Sequence, residues 1–212
     1  MTYAVKEIFY TLQGEGQNTG KPAVFCRFTG CNLWTGREQD RASAVCQFCD
    51  TDFVGTDGHG GGLFQTPEKL TKSINDAWAD GCAEQKFVVL TGGEPVLQLD
   101  GKLIDNLHNA GFEIALETNG TLPVPDGVDW VCVSPKGNSD IVVRTGDELK
   151  LVYPQPELDP VLFEDWNFTH HFLQPMDKKD CSVDTVQKTI DYCLSHSRWR
   201  LSLQTHKILK IP

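Results

Sequence analysis

Cys31, Cys46 and Cys49 are soft sulfur ligands in one stretch of chain; residues 32–45 separate the first from a Cys-x-x-Cys pair. Thiolates in such a pattern hold iron–sulfur clusters or zinc, because soft sulfur spreads its charge onto these metals. The Cys-x-x-Cys pair puts two sulfurs at one corner of a metal site, and Cys31 must reach that site across the intervening loop. Three thiolates on a 4Fe–4S cluster leave one iron open to a further ligand. A closed zinc knot completed by Cys26, His59 or another residue fits the cysteines alone equally well. Two further segments carry chemistry. Gln13-Gly14-Glu15-Gly16 precedes the first cysteine and Thr91-Gly92-Gly93-Glu94-Pro95 follows the last. They combine amide, carboxylate and hydroxyl groups with glycines that let backbone approach a ligand closely.

Elements to position these residues are legible in the hydrophobic pattern. Apolar runs of strand length recur at 23–29, 87–90, 113–116, 129–133, 148–152, 171–173 and 199–203. Thr66-Pro67-Glu68 has a capping hydroxyl and a first-turn proline, which predicts a helix running to Asp80 and stopped at Gly81. Leu99, Leu103, Ile104, Leu107 and Ala110 form a helical stripe closed by Gly111; Val183, Val186, Ile190, Cys193 and Leu194 form another. The glycine cluster at 58–62 reads as a loop. Strands alternating with helices predict an α/β protein with parallel strands. Each strand ends in polar, turn-forming residues: Gly30-Cys31-Asn32, Thr91-Gly92-Gly93-Glu94-Pro95, Glu117-Thr118-Asn119-Gly120, Ser134-Pro135-Lys136, Gln174-Pro175-Met176-Asp177 and Gln204-Thr205-His206-Lys207. In β/α folds that C-terminal edge carries the active site. The chain is short for eight complete β/α units, so a partial, open β/α barrel in a single domain, 1–212, is expected.

Composition narrows the function. The 212 residues are 40% hydrophobic, enough for a sizeable core, and the formal net charge is −10. That charge disfavours a nucleic-acid backbone, which is bound by displacing counterions with Lys and Arg, and equally an anionic membrane surface. No apolar run of membrane-spanning length occurs. The opening residues, 1–7, lack the charged entry and apolar run of a signal peptide, so a cytoplasmic protein is expected. In that setting eight cysteines point to metal binding or catalysis before disulfides. A small-molecule substrate fits best.

The segments Leu12-Gln13-Gly14-Glu15-Gly16 and Gly20-Lys21-Pro22-Ala23-Val24-Phe25-Cys26-Arg27-Phe28-Thr29-Gly30-Cys31-Asn32-Leu33 resemble the 7-carboxy-7-deazaguanine synthase family of radical S-adenosylmethionine (SAM) enzymes. Cys49-Asp50-Thr51, the Thr91–Pro95 glycine motif, Glu117-Thr118-Asn119-Gly120, Ser134-Pro135-Lys136 and Ser202-Leu203-Gln204-Thr205-His206-Lys207 continue the resemblance nearly end to end. The cysteine spacing departs from the shorter one of most radical SAM proteins, which leaves the shape of the 32–45 insertion open. The resemblance implies a 4Fe–4S cluster on Cys31, Cys46 and Cys49, with SAM on the open iron as a catalytic cofactor. It implies conversion of 6-carboxy-5,6,7,8-tetrahydropterin to 7-carboxy-7-deazaguanine with loss of ammonia, through hydrogen abstraction at C6 and ring contraction. A flavodoxin- or ferredoxin-type electron donor and a homodimer come with it.

The resemblance also assigns residues. Phe48, Cys49 and Asp50 would line the adenine side of SAM, Gly93 its amino group, Ser134, Pro135 and Lys136 its ribose or carboxylate, and Gln174, Pro175, Met176 and Asp177 would close over the adenine. Leu12, Gln13, Gly14, Glu15, Arg27, Thr91 and Pro212 would meet the substrate. Gln13 and Glu15 suit an aminopyrimidinone edge, and Arg27 suits a carboxylate through its bidentate fork. Arg27 also lies on an apolar strand in opposite phase to Phe28, where a charge is costly unless paired. Thr51 would help hold Mg²⁺ against the substrate; a turn-capping threonine is the plainer reading. Ile208, Leu209 and Ile211 are apolar for a free end, and the tail is too short for a helix that buries them. The tail is therefore expected to fold back so that the Pro212 carboxylate reaches the pterin, with packing on the barrel exterior as the alternative. Cys26, Cys82, Cys132, Cys181 and Cys193 read as packing residues, and His59, His108, His170, His171 and His196 lack metal-ligand spacing. Two competing functions remain on the sequence: a radical SAM activase acting on a partner protein, and a zinc-stabilised binding module.

Overall fold

The apolar runs pair into one nine-stranded sheet of order β3-β1-β2-β4-β5-β6-β7-β8-β9 in a computed structural model that describes residues 2–78, 85–177 and 184–212. The strands are β1 (Tyr3–Leu12), β2 (Pro22–Phe28), β3 (Gly62–Phe64), β4 (Lys86–Gly92), β5 (Phe112–Thr118), β6 (Trp130–Val133), β7 (Thr145–Tyr153), β8 (Asn167–Pro175) and β9 (Arg200–Leu201). From β2 to β9 neighbours are parallel and follow chain order, whereas β1 runs antiparallel to β2 and β3. The edges β3 and β9 do not pair, so the sheet is an open β/α barrel. The sequence pattern does not announce β1, because Lys6 and Glu7 interrupt its apolar residues and a register shift between Val5 and Glu7 breaks the alternation.

Helices α1 (Pro67–Ala77), α2 (Gly101–Asn109) and α3 (Thr185–Ser195) cover the outer face. The Thr66 hydroxyl accepts from Lys69 N–H at the start of α1, as its sequence signal predicts. The helix ends earlier than expected, at Ala77: Trp78 is extended and packs edge-on against Phe112 at 6.1 Å. The expected stop at Asp80 and Gly81 lies outside the described residues, as do Cys82, Cys181 and Val183. Buried Leu103, Ile104 and Leu107 hold α2 on the sheet, and Gly111 follows at φ +84°.

The expected stripe of α3 is a correction. Val186 and Leu194 are exposed, while Thr185 and Thr189 are buried. The reason is that both hydroxyls find backbone acceptors. Thr185 donates to Met176 O (2.9 Å) and Thr189 to Thr185 O (2.6 Å), so these small side chains face the barrel without an unsatisfied group. In the tail, the correction concerns the apolar residues, which do not hold it. Residues Thr205–Leu209 form a one-turn helix, α4, and Ile208 and Leu209 are exposed. What ties the tail is polar: Thr205 N–H donates to Gly14 O at 3.0 Å and the Thr11 hydroxyl to Pro212 O at 3.2 Å.

Strand parity separates two environments. Val24, Cys26 and Phe28 of β2, Val88 and Leu90 of β4, and Ile114 and Leu116 of β5 face α1 and α2 in the main core. Residues of the other parity face the barrel interior. Its floor is apolar, with Ala23, Phe87, Val89 and Ala115 buried together beside Phe25 and Trp130. Towards the strands' C-terminal ends the same faces turn polar. Arg27 pairs with Thr91, Glu117 with Cys132 and Cys132 with Glu148 across the register. None of the described helices is long and apolar enough to cross a membrane.

Asp100 joins sheet and helix. Its carboxylate accepts from Leu103 N–H at 3.0 Å as the α2 cap and from the hydroxyl of fully buried Tyr3 at 2.8 Å. Asp100→Ala removes the cap and orphans a buried hydroxyl, so an unfolding free energy lower by about 2–4 kcal/mol is expected in denaturant titration. Tyr3→Phe in the same background should recover part of that loss.

Candidate active site

The end of β4 is pressed against the loop that follows β2. Gly92 sits at φ +134°, a conformation that disfavours other residues, and faces Phe28 in the register. Gly93 N–H donates to Phe28 O at 3.3 Å and Glu94 N–H to Gly30 O at 2.9 Å. A Cβ on Gly93 would overlap the Gly30 carbonyl and crowd Cys31. Fully buried Glu94 then ties β4 to β5: its carboxylate accepts from Val96 N–H (3.0 Å), the Thr118 hydroxyl (2.8 Å) and Asn119 N–H (2.7 Å). Burial pushes its pKa up, although these bonds favour the ion. Asn119 in turn donates to the Asn32 side chain at 3.0 Å, next to Cys31.

Residues 32–45 form a closed loop. Val45 and Cys46 both donate to Leu33 O, at 3.1 and 3.3 Å, so the chain returns to its starting point. A 3-10 turn, Glu38–Ser43, fills the loop. Arg41 fastens it: Nη1 donates to Gln47 O and Cys49 O, both at 3.1 Å, while the guanidinium lies 4.1 Å over the Trp34 ring. Cys31, Cys46 and Cys49 line one cavity. The Cys46 thiol hydrogen-bonds to the Cys49 sulfur, which draws Cys49 down to about 6 against the effect of burial, and pushes Cys46 up. Cys26 is fully buried in the core and His59 is exposed on the β1–β3 side, so neither proposed fourth zinc ligand lines this cavity. Among the described residues no three His, Cys, Asp or Glu side chains converge on a single ion. Three thiols spread around a common space, with backbone free to approach at Gly93, suit a cluster and its fourth ligand.

Two cavities adjoin at the C-terminal ends of the strands. The first, about 190 Å³, carries the three thiols and is also lined by Phe48, Gly93, Ser134, Lys136, Gln174, Pro175, Met176 and Asp177. The second, about 260 Å³, is lined by Leu12, Gln13, Gly14, Arg27, His206 and Pro212. Glu15, Asp50, Thr51, Thr91, Glu117 and Gln204 belong to both and form the common wall. Pro135 differs from its sequence assignment in that it is buried behind Ser134 and Lys136 and lines neither cavity; its carbonyl accepts from Gln155 at 3.3 Å. The side chain of Lys136 is turned onto Ser134, with Nζ 2.6 Å from its carbonyl and 2.7 Å from its hydroxyl.

No family model matches the chain. Individual proteins do. It is 58% identical over 212 residues to a 7-carboxy-7-deazaguanine synthase from Bordetella pertussis and likewise to one from Caulobacter vibrioides, with 100% of each chain covered in both cases. The crystal structure of QueE from Escherichia coli superposes with a TM-score of 0.68 at 30% identity, over 96% of this chain and 94% of that one. The chain belongs to the 7-carboxy-7-deazaguanine synthase family. These are radical SAM enzymes, and that membership favours the cluster over the zinc module and over the activase.

In this 7-carboxy-7-deazaguanine synthase relative, Lys150 shapes the site although no motif carries it. Lys150 of β7 stands 3.0 Å from both Glu15 Oε2 and Glu117 Oε2. Burial alone would raise the Glu15 pKa, but Lys150 beside it and the Gln204 amide bring it down to about 2. His206 is held neutral by burial, its pKa lowered. The His206 ring occupies the space a Cβ on Gly14 would need. Lys207 of α4 bridges Asp50 and Asp177, both at 2.7 Å, and so links the tail to the cysteine loop and to the end of β8. Alternate positions on β7 are the signal that exposes Lys150 and Glu148: they share parity inside strands whose other face is apolar core.

Gly93→Ala should leave the folded chain largely intact but displace the Cys31 loop, since the obstructing atom is main chain and cannot rotate away. Iron and sulfide content after anaerobic reconstitution should fall well below wild type, and SAM affinity should drop by about tenfold or more.

Proposed function

We propose that this chain converts 6-carboxy-5,6,7,8-tetrahydropterin to 7-carboxy-7-deazaguanine and ammonia. The observation that carries this reading is the pair of adjoining cavities: three thiols line one, Arg27 and Gln13 the other, and Glu15, Thr51 and Thr91 lie on their common wall. The conversion is redox-neutral overall, so the substrate must be held next to a reagent that removes a hydrogen atom and gives one back. A 4Fe–4S cluster with SAM supplies that chemistry when bound. Cys31, Cys46 and Cys49 would hold the cluster; Phe48, Gly93, Ser134, Lys136, Gln174 and the 175–177 turn would enclose SAM.

The second cavity matches the substrate in charge and hydrogen bonding. Arg27 reaches it from β2, held through Nε by Glu7 at 2.7 Å. That bond fixes the guanidinium and leaves its terminal fork to take a carboxylate. Glu15 and Gln13 offer acceptors and a donor to the aminopyrimidinone edge. His206, neutral and beside Gly14, can accept or donate without adding charge. Pro212, whose carbonyl oxygen accepts from the Thr11 hydroxyl at 3.2 Å, lines the same cavity and suits the substrate's ring N–H groups. Thr51, between Asp50 and Asp52 on this side, suits Mg²⁺ bridging to the substrate carboxylate, with water completing the shell. A low-potential flavodoxin- or ferredoxin-type protein is the proposed electron source.

The direct test incubates reconstituted protein with SAM, reductant and the carboxytetrahydropterin, with mass detection of the deazaguanine product. Cys46→Ala should lose both cluster and turnover; full iron content with turnover in that variant would sink the assignment. Arg27→Ala should keep cluster content and SAM affinity while substrate binding weakens by roughly 2–5 kcal/mol, the cost of losing one charge-assisted pair in a desolvated site. Equal substrate affinity in wild type and Arg27→Ala would remove Arg27 as the carboxylate partner.

A further inference from the structure

Lys150 sits in the barrel interior with its side chain 5% exposed, and three carboxylates surround it. Its ammonium is 3.0 Å from Glu15 Oε2, 3.1 and 3.0 Å from the two Glu117 oxygens, and 4.0 Å from Glu148 Oε1. The three acids differ in what else they touch. Glu15 accepts from the Gln174 and Gln204 amides at 3.1 and 3.0 Å, and Glu117 faces the Gln13 amide at 3.5 Å. Glu148 lies behind them, accepting from Gln17 N–H at 3.0 Å and from the Cys132 thiol at 3.6 Å. Glu15 and Glu117 line both cavities, whereas Glu148 lines neither. From α4 the neutral His206 faces Glu15, and Asp50 and Lys207 meet it through Gln204.

We propose that Lys150 is a positioning residue for substrate recognition, holding the carboxylates of Glu15 and Glu117 in place on the wall shared by the two cavities. The role rests on the assignment of Glu15 to the substrate's aminopyrimidinone edge. That edge presents N–H donors, so it needs partners that only accept. An ionised carboxylate qualifies; a protonated one turns a donor towards donors. Burial by itself favours proton uptake by Glu15, and the Lys150 ammonium beside it opposes that. Lys150 touches both and itself lines only the first cavity, whereas Glu15 and Glu117 line both and so remain open to a ligand in the second.

The experiment is equilibrium binding of 6-carboxy-5,6,7,8-tetrahydropterin to the cluster-loaded, SAM-bound protein without reductant, so that no turnover occurs. It compares wild type, Lys150→Met and Lys150→Arg between about pH 6 and about pH 8, where a carboxylate lowered in pKa stays ionised. The other ionisable groups around the site and the ligand are common to all three proteins, so the readout is the difference from wild type. Lys150→Met should hold iron normally and, at saturating SAM, lose up to about tenfold more substrate affinity per pH unit as pH falls, the signature of one proton taken up. Lys150→Arg, which keeps the charge, should follow the wild-type profile. Lys150→Gln replaces the Met variant should the latter fail to retain its cluster, with the same expected slope. A charge-free variant with wild-type affinity and pH profile overturns the role, and so does an Arg variant with the Met variant's slope. If wild type itself does not bind the pterin, the substrate assignment falls first and this role with it; retained wild-type binding separates the two failures.

Discussion

The close contact between the end of β4 and the turn after β2 is the constraint on which the site depends. Parallel pairing sets Phe28 opposite Gly92, and the next two N–H groups of the β4 segment donate to Phe28 and Gly30. Only residues without a Cβ allow main chains to come so near. The contact delivers Cys31 to the C-terminal edge of the sheet. Glu94 then extends the brace to β5 through three hydrogen bonds, and Asn119 carries it back to Asn32. The cysteine loop is therefore anchored to three strand ends. Its long insertion is neutral to this geometry, because Leu33 O closes the neck and Arg41 binds the far side to Gln47 and Cys49.

The barrel interior changes character along the strands. At the floor, Ala23, Phe87, Val89 and Ala115 pack as a dry plug. One or two pleats further on, the same parity carries Arg27, Thr91, Glu117, Glu148 and Lys150. Charges at that depth are tolerable only in compensated groups: an unpaired buried ion costs several kcal/mol, whereas each charge-assisted hydrogen bond returns about 1.5–3 kcal/mol. Arg27 with Glu7 and Lys150 with Glu15 and Glu117 meet that condition. The polar layer is thus stable before any ligand arrives, and its preorganised donors and acceptors face the two cavities.

The cysteines, the glycine motif and the polar strand ends were legible in the sequence because local residue type alone carries their meaning. Lys150 and Arg41 were not, nor were the partners of Glu94 and Glu117 within those motifs. Each acts through partners far away along the chain, as when Glu94 receives Thr118 and Asn119, or Lys150 meets Glu15. A carboxylate or lysine inside an apolar run reads as an interruption until the opposite strand face is known to be an interior. Strand β1 escaped for a related reason, since its charged residues and register shift hide its alternation. In α3, the stripe of larger apolar residues was the visible pattern, yet two threonines with satisfied hydroxyls take the buried face.

By itself, the sequence determined the alternation of strands and helices, the parallel sense of β2 and β4 to β9, and the three-thiol motif at a strand's C-terminal end. These follow from short-range rules: hydrophobic period, capping chemistry and ligand spacing. Tertiary structure alone decided which charged residues share the interior, how the 32–45 insertion closes, and that the tail is held by hydrogen bonds to Gly14 and Thr11 while Ile208 and Leu209 stay exposed. Those outcomes depend on which pleat of one strand lies beside which pleat of the next. A one-residue change in register would turn every such side chain to the opposite face, and register is a property of the assembled sheet.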